Sequence, residues 1–81
     1  MNRQELIEQV NTVLAETFEV AISKITPDAE IKETLDLDSL SLVDMVALIE
    51  TTFGVAIKGQ HISSIKTFDN LYDFISDRIK N

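Results

Sequence analysis

Three segments of this chain place apolar residues at the spacing of an amphipathic helix, and this periodicity limits the fold more than any other feature. The middle segment is the clearest, because its apolar residues recur at i, i+3, i+4, i+7 and i+11 and form one continuous stripe. That stripe consists of Leu42, Met45, Val46, Ile49 and Phe53. Asp38 is a suitable N-cap and Gly54 a suitable C-terminal cap. The sequence therefore predicts a helix from Ser39 to about residue 53.

The flanking segments predict a first and a last long helix. Asn2 and Glu5 have the spacing of a capping box at the start of the first helix. The apolar positions of that helix are Leu6, Ile7, Val10, Val13, Leu14 and Phe18. Thr67 is a candidate cap for the last helix. The stripe of the last helix consists of Phe68, Leu71, Phe74, Ile75 and Ile79. Residues 60–64 predict one short helical turn, whereas a strand at residues 55–57 would have no partner.

A long connection, residues 19–37, joins the first two predicted helices. Pro27 cannot donate a backbone hydrogen bond, and Asp28 and Asp36 favour turns. The connection nevertheless contains apolar residues that predict packing on the core, namely Val20, Ile22, Ile25, Ile31 and Leu35. The fold class predicted is all-α: a small four-helix bundle with three main helices, one short helix and a long first loop, in a single domain spanning residues 1–81.

The charge of the chain is strongly negative and unevenly distributed. It has 14 acidic residues against 7 lysines and arginines, which repels nucleic acid and anionic membranes and attracts basic protein surfaces. The acids are concentrated between residues 28 and 50, whereas residues 51–68 contain no acid but include Lys58 and Lys66. No run approaches the ~18 apolar residues of a membrane span, and no apolar targeting segment is apparent. We expect a cytoplasmic monomer that binds neither nucleic acid nor membrane.

The side of the middle helix opposite its stripe carries Leu40, Val43 and Ala47 beside Asp44 and Glu50. Single exposed apolar residues are common on protein surfaces. Three of them on one face, edged by acids, favour a docking surface for a partner protein.

Ser39 lies at the start of the middle helix, where unpaired backbone N–H groups and a partial positive charge favour an attached phosphate. Serine and aspartate at such positions are also ordinary helix caps. No neighbouring base would make Ser39 a nucleophile by itself, so another enzyme would have to modify it, and no catalytic residue is predicted. His61 is the single histidine and is predicted to be an exposed loop residue, and no metal site is predicted.

Several motifs together resemble the acyl carrier protein family over nearly the whole chain. They are Asp38-Ser39-Leu40 followed by Val43 and Asp44, then Phe53-Gly54-Val55-x-Ile57, Ile65-Lys66-Thr67-Phe68 and Phe74-Ile75. The resemblance implies that Ser39, flanked by Asp38 and Leu40, carries a covalent 4'-phosphopantetheine. A phosphopantetheinyl transferase would attach this arm from coenzyme A, and its thiol would hold acyl groups as thioesters, with the acyl chain between the helices.

The resemblance also implies that acyl-transferring and condensing enzymes of fatty-acid, polyketide or related biosynthesis bind the middle helix. The corresponding candidate residues are Asp36, Leu40, Val43, Asp44, Ala47 and Glu50. Two alternatives stay open at this point. A peptidyl or aminoacyl carrier would use the same fold and serine, and an unmodified helical interaction module would use only the apolar face.

The chain departs from the family pattern at two places. Asp36 stands where the family often has glycine, and of the residues other than glycine, aspartate is among those that best tolerate left-handed backbone geometry. Thr51 and Thr52 replace acids at the end of the middle helix, and residues 58–61 replace a loop that is usually acidic. These departures favour a specialised carrier with a dedicated pathway over the housekeeping fatty-acid carrier.

Overall fold

The computed structural model describes residues 2–79, apart from the side chains at positions 59 and 60. Five α-helices and one 3₁₀ turn follow one another along this part of the chain. They are α1 (Arg3–Phe18), the 3₁₀ turn (Ile22–Lys24), α2 (Ile31–Leu35), α3 (Ser39–Phe53), α4 (Gly59–Ile62) and α5 (Phe68–Ile79). The all-α prediction is confirmed, and α2 is an additional short helix inside the predicted first loop.

The predicted limits of α1 and α3 are confirmed. The Asn2 side chain accepts the amide proton of Glu5 at 2.9 Å, and the Glu5 carboxylate accepts that of Asn2 at 3.3 Å, which completes the capping box. Helix α3 begins after Asp38 and ends at Gly54, whose φ of 70° lies in the left-handed region that glycine adopts without a steric penalty.

Helix α2 was missed by the sequence analysis because five residues are too few to show a helical repeat. It turns only Ile31 and Leu35 into the core, an i, i+4 pair that a loop could also supply. The predicted burial of the connection is confirmed for these two residues and for Ile25, and Val20 is half-buried. It is wrong for Ile22, which is 51% exposed because it lies in a single surface turn.

Backbone hydrogen bonds hold the start of α2 against the start of α5. The Ile31 amide donates to the Lys66 carbonyl at 2.9 Å, and the Phe68 amide donates to the Ala29 carbonyl at 3.2 Å. Between them, Glu30 and Thr67 form an isolated antiparallel bridge. Thr67 also caps α5 as predicted, because its hydroxyl accepts the Asn70 amide proton at 3.2 Å.

The core lies where α1, α3 and α5 face one another. Its most completely buried side chains are Leu6, Val10, Leu14, Ile31, Met45, Ile49, Phe68, Leu71, Tyr72 and Ile75. Tyr72 was not predicted to be buried; its ring has no exposed surface, and its hydroxyl donates to the side-chain oxygen of Asn11 on α1. At the surface, Arg3 joins α1 to α5 through Asp69 at 3.1 Å and Asp73 at 2.8 Å.

Candidate functional site

Ser39 is the first residue of α3, and its side chain is exposed. The Asp38 carboxylate before it caps the helix by accepting the Ser41 amide proton at 2.8 Å. This hydrogen bond, together with one from the Ser41 hydroxyl, lowers the pKa of Asp38 below its ordinary value. The serine hydroxyl is therefore presented to solvent beside a carboxylate that stays ionised at neutral pH.

A tight turn between α2 and α3 sets the position of Ser39. Asp36 ends α2 in the left-handed conformation, with φ 54° and ψ 53°, as predicted for the position where the family often has glycine. The next amide, that of Leu37, donates to the Lys32 carbonyl at 2.9 Å. Asp38 is the N-cap of α3, so only residues 36–38 separate the two helices.

Ser39 also lies on a groove of about 570 Å³, a size typical of small-ligand sites. Helix α3 supplies one set of its lining residues, and α2, α4 and the segment before α5 supply the others. The lining residues are Glu30, Lys32, Ser39, Leu42, Val43, Ile62, Ser63, Ile65 and Lys66. The groove thus combines apolar side chains with two lysines, one acid and two hydroxyls, next to the candidate attachment point.

Three apolar side chains for which the sequence predicts a docking role are exposed on α3. Leu40 is 79% exposed and Val43 is 53% exposed, and Ala47 is exposed beside them. Asp36 and Asp44 are exposed at the edges of this apolar patch. All five of these candidate residues are exposed in the structure.

Glu50 differs from the other candidates on this face. Its side chain is half-buried, and Oε2 accepts the Ile57 amide proton at 2.8 Å. This hydrogen bond ties the end of α3 to the segment 54–58, whose residues Val55 and Ile57 are buried. A structural role for Glu50 could not be read from the sequence, because its partner lies seven positions away outside the helix.

His61 is not the exposed loop residue that the sequence predicted. It lies half-buried in α4, with its ring 4.9 Å from the ring of Phe74 on α5. The Arg78 guanidinium lies over the same Phe74 ring, 4.6 Å from its centroid. The prediction was wrong because the helical turn of α4 directs the histidine toward α5, and His61 does not line the groove.

The sequence does not indicate that Lys32, Ser63 and Lys66 share a groove. The available signal was the position of the two lysines, one within the acidic stretch and one within the acid-free segment that follows. The backbone pairing of the segment before α2 with the segment before α5 brings these distant parts of the chain together.

Neither a metal-binding cluster nor a membrane-spanning helix is found in the described part of the chain. Within residues 2–79, no three histidine or acidic side chains are grouped so that they could hold a metal ion. None of the helices in that range is long and apolar enough to cross a membrane.

Comparison with known proteins gives one consistent result. The family model described as "Phosphopantetheine attachment site" matches residues 8–75, a range that includes Ser39. An acyl carrier protein of Petrotoga mobilis is 35% identical over 98% of this chain and 93% of its own length. An acyl carrier protein of Thermosynechococcus vestitus is 33% identical over 98% of each chain.

A solved structure extends the similarity to three dimensions. The acyl carrier protein from Enterococcus faecalis superposes with a TM-score of 0.79 at 27% identity, over 96% of this chain and 99% of that one. The similarity in fold therefore extends over nearly the whole of both chains.

Proposed function

Since this chain belongs to the acyl carrier protein family and carries acyl groups on phosphopantetheine, we propose that Ser39 is the residue to which the arm is attached. The observation that carries this proposal is the position of Ser39, which is exposed, begins α3 and lines the 570 Å³ groove. No other serine combines the helix start with the groove.

The residues around Ser39 fit a phosphodiester. The start of a long helix favours negative charge through its unpaired N–H groups and its dipole. Asp38 holds the turn but leaves the hydroxyl of Ser39 exposed, so that a phosphopantetheinyl transferase can reach it. When attached, the arm supplies a thiol that holds an acyl group as a thioester.

The protein itself positions the acyl group and delivers it to partner enzymes. The groove offers an apolar surface at Leu42, Ile62 and Ile65 on which an acyl chain can lie close to its attachment point. A tethered thioester reaches each partner enzyme at high effective concentration. The chain acts as a carrier, and the chemical steps belong to the enzymes that bind it.

The proposed contact surface for those enzymes is the exposed start of α3. Leu40 and Val43 supply the apolar centre, and Asp36 and Asp44 supply charge for a basic partner surface. A small interface of this kind, guided by charge, allows rapid exchange between acyl-transferring and condensing enzymes. The cytoplasmic location expected from the sequence stays a prediction.

The end of α3 suggests a specialised carrier. Thr51 and Thr52 are exposed and uncharged, and Lys58 is exposed in the segment after the helix. A partner that needs acids there would bind weakly. Binding to housekeeping fatty-acid enzymes as tight as that of the usual carrier would contradict this part of the proposal.

Attachment of the arm is tested by intact-mass measurement after incubation with coenzyme A, magnesium and a broad-specificity phosphopantetheinyl transferase. The wild type should gain about 340 Da, the mass of one arm. Ser39→Ala should gain nothing, whereas Ser41→Ala, which changes the neighbouring serine on the same helix, should be labelled. Labelling of Ser39→Ala, or no labelling of a folded wild type beside a competent control carrier, would refute the assignment.

A further inference from the structure

The groove beside Ser39 contains two lysines without ionic partners. Lys32 and Lys66 both line it, yet neither ammonium lies within 4.0 Å of a carboxylate in residues 2–79. Glu30 lines the same groove and makes no ion pair with either lysine. By contrast, Arg3 is paired with two acids of α5, Asp69 and Asp73.

The backbone keeps the two lysines together. The Ile31 amide donates to the Lys66 carbonyl at 2.9 Å, so the residue before Lys32 is bonded to Lys66 itself. The isolated bridge between Glu30 and Thr67 fixes the register of this contact. Two exposed lysines on paired backbone segments therefore line the groove, and each ammonium group has donors for an anionic oxygen.

From this arrangement, and on the premise of the proposed function, we infer that the groove selects an acyl group that ends in an ionised carboxylate, which Lys32 and Lys66 bind. The apolar residues Leu42, Ile62 and Ile65 line the same groove. An occupant that satisfies both features is apolar along its length and negatively charged at its far end, which describes a dicarboxylic acyl chain held by its thioester.

The phosphate of the arm satisfies this arrangement less well. It would be bonded to Ser39 itself, beside the ionised Asp38, and its charge would be the same for every cargo. The lysines are therefore assigned to the cargo.

The test compares two acyl groups of equal carbon number, hexanoyl and adipoyl, loaded onto Ser39 with the arm from their coenzyme A thioesters. The rate of thioester cleavage by neutral hydroxylamine is measured for each and divided by the rate for the same free acyl-pantetheine. Lys32→Met combined with Lys66→Met removes both charges and keeps the apolar stems. Lys24→Met, in the 3₁₀ turn outside the groove, is the matched control.

On the wild type, the normalised cleavage rate of adipoyl should be about threefold lower than that of hexanoyl. This is the size of effect expected for two partly exposed ion pairs. The difference should disappear in the double variant, persist in Lys24→Met and shrink in high salt. Equal rates on the wild type, or a difference that survives the double substitution, would overturn the inference.

Two further outcomes separate this inference from its premise. If the lysines slow cleavage of both acyl groups alike and shift the ³¹P resonance of the arm, they serve the phosphate and the inference is wrong. Intact mass shows first whether the arm is on Ser39. Failure of attachment would overturn the proposed function and the inference together, whereas attachment with equal rates overturns the inference only.

Discussion

The Asp38 carboxylate accepts the backbone amide proton of Ser41 at 2.8 Å, so the residue that starts α3 also keeps a negative charge beside Ser39. The interaction makes Asp38 the N-cap of α3 and keeps its carboxylate next to the proposed attachment residue.

Removing the cap should destabilise α3. Asp38→Ala should lower the melting temperature at neutral pH, and Asp38→Asn should lower it less, because an amide oxygen can still accept the Ser41 amide proton. Since the pKa of Asp38 is lowered in the folded state, its contribution is present above the unfolded pKa of about 3.9. It is lost as pH falls through the folded pKa. The difference in melting temperature between wild type and Asp38→Asn should disappear as pH falls through the folded pKa. A difference that is unchanged in acid would contradict the assignment of the ionised Asp38 as the cap.

Glu50 should matter for stability, independently of any partner. Glu50→Ala leaves the Ile57 amide without its acceptor and should lower the free energy of unfolding by about 1 to 3 kcal/mol. Glu50→Gln keeps a carbonyl oxygen at the same place and should therefore lower the free energy of unfolding by less than Glu50→Ala does. Urea unfolding of the three proteins measures the difference, and equal stabilities would show that the hydrogen bond contributes nothing.

The buried Tyr72 predicts a loss of stability in alkali. Burial raises the pKa of Tyr72, so the unfolded chain releases the phenolic proton first, above a pH of about 10. The stability that comes from this shift is present below that pH and is lost as pH rises. Tyr72→Phe should lower stability at neutral pH by about 1 kcal/mol, through loss of the hydrogen bond to Asn11. The free energy of unfolding should also fall less steeply in alkali for Tyr72→Phe than for wild type. An identical fall in both proteins, measured by urea unfolding across this pH range, would refute the prediction.

The apolar patch on α3 should affect partner binding and not the fold. Leu40 is 79% exposed, so Leu40→Gln should change the free energy of unfolding by less than about 0.5 kcal/mol. It should raise the KM of the phosphopantetheinyl transferase for this chain. Ile22→Gln is the matched control, because Ile22 is 51% exposed but lies in the 3₁₀ turn. Equal effects of the two substitutions on KM would argue against a docking role for Leu40.

The left-handed turn at Asp36 should prefer glycine to alanine. Asp36 has φ 54°, where a β-carbon costs roughly 1–2 kcal/mol. Asp36→Gly avoids this cost, but glycine adds conformational entropy to the unfolded chain, which offsets part of the gain. Asp36→Gly should therefore be more stable than Asp36→Ala by about 1 kcal/mol. Thermal unfolding of the two variants measures the difference. A more stable alanine variant would contradict the claim that the left-handed conformation at position 36 is strained for a residue with a β-carbon.

Local patterns were enough to predict the long helices and the position of Ser39. Asp38 caps the start of α3 and Gly54 caps its end, whereas Asn2 and Glu5 cap the start of α1. All of these contacts join residues that are three or four positions apart. These features depend on neighbouring residues and can be read from the sequence.

Features that depend on distant residues could not be predicted in the same way. The turn of α2, the Tyr72–Asn11 contact and the groove exist because segments far apart in sequence meet. His61 was assigned to an exposed loop for the same reason: its environment is set by Phe74, which is thirteen positions later. Periodicity describes which side of a helix is apolar, but it does not identify what that side will meet.

Acyl groups should travel as thioesters on an arm at Ser39, and intact mass of the acetylated carrier before and after neutral hydroxylamine measures this. Wild type should carry arm and acetyl together, hydroxylamine should remove only the acetyl, and Ser39→Ala should carry neither. Acetyl that resists hydroxylamine on the wild type, or appears equally on Ser39→Ala, would contradict it.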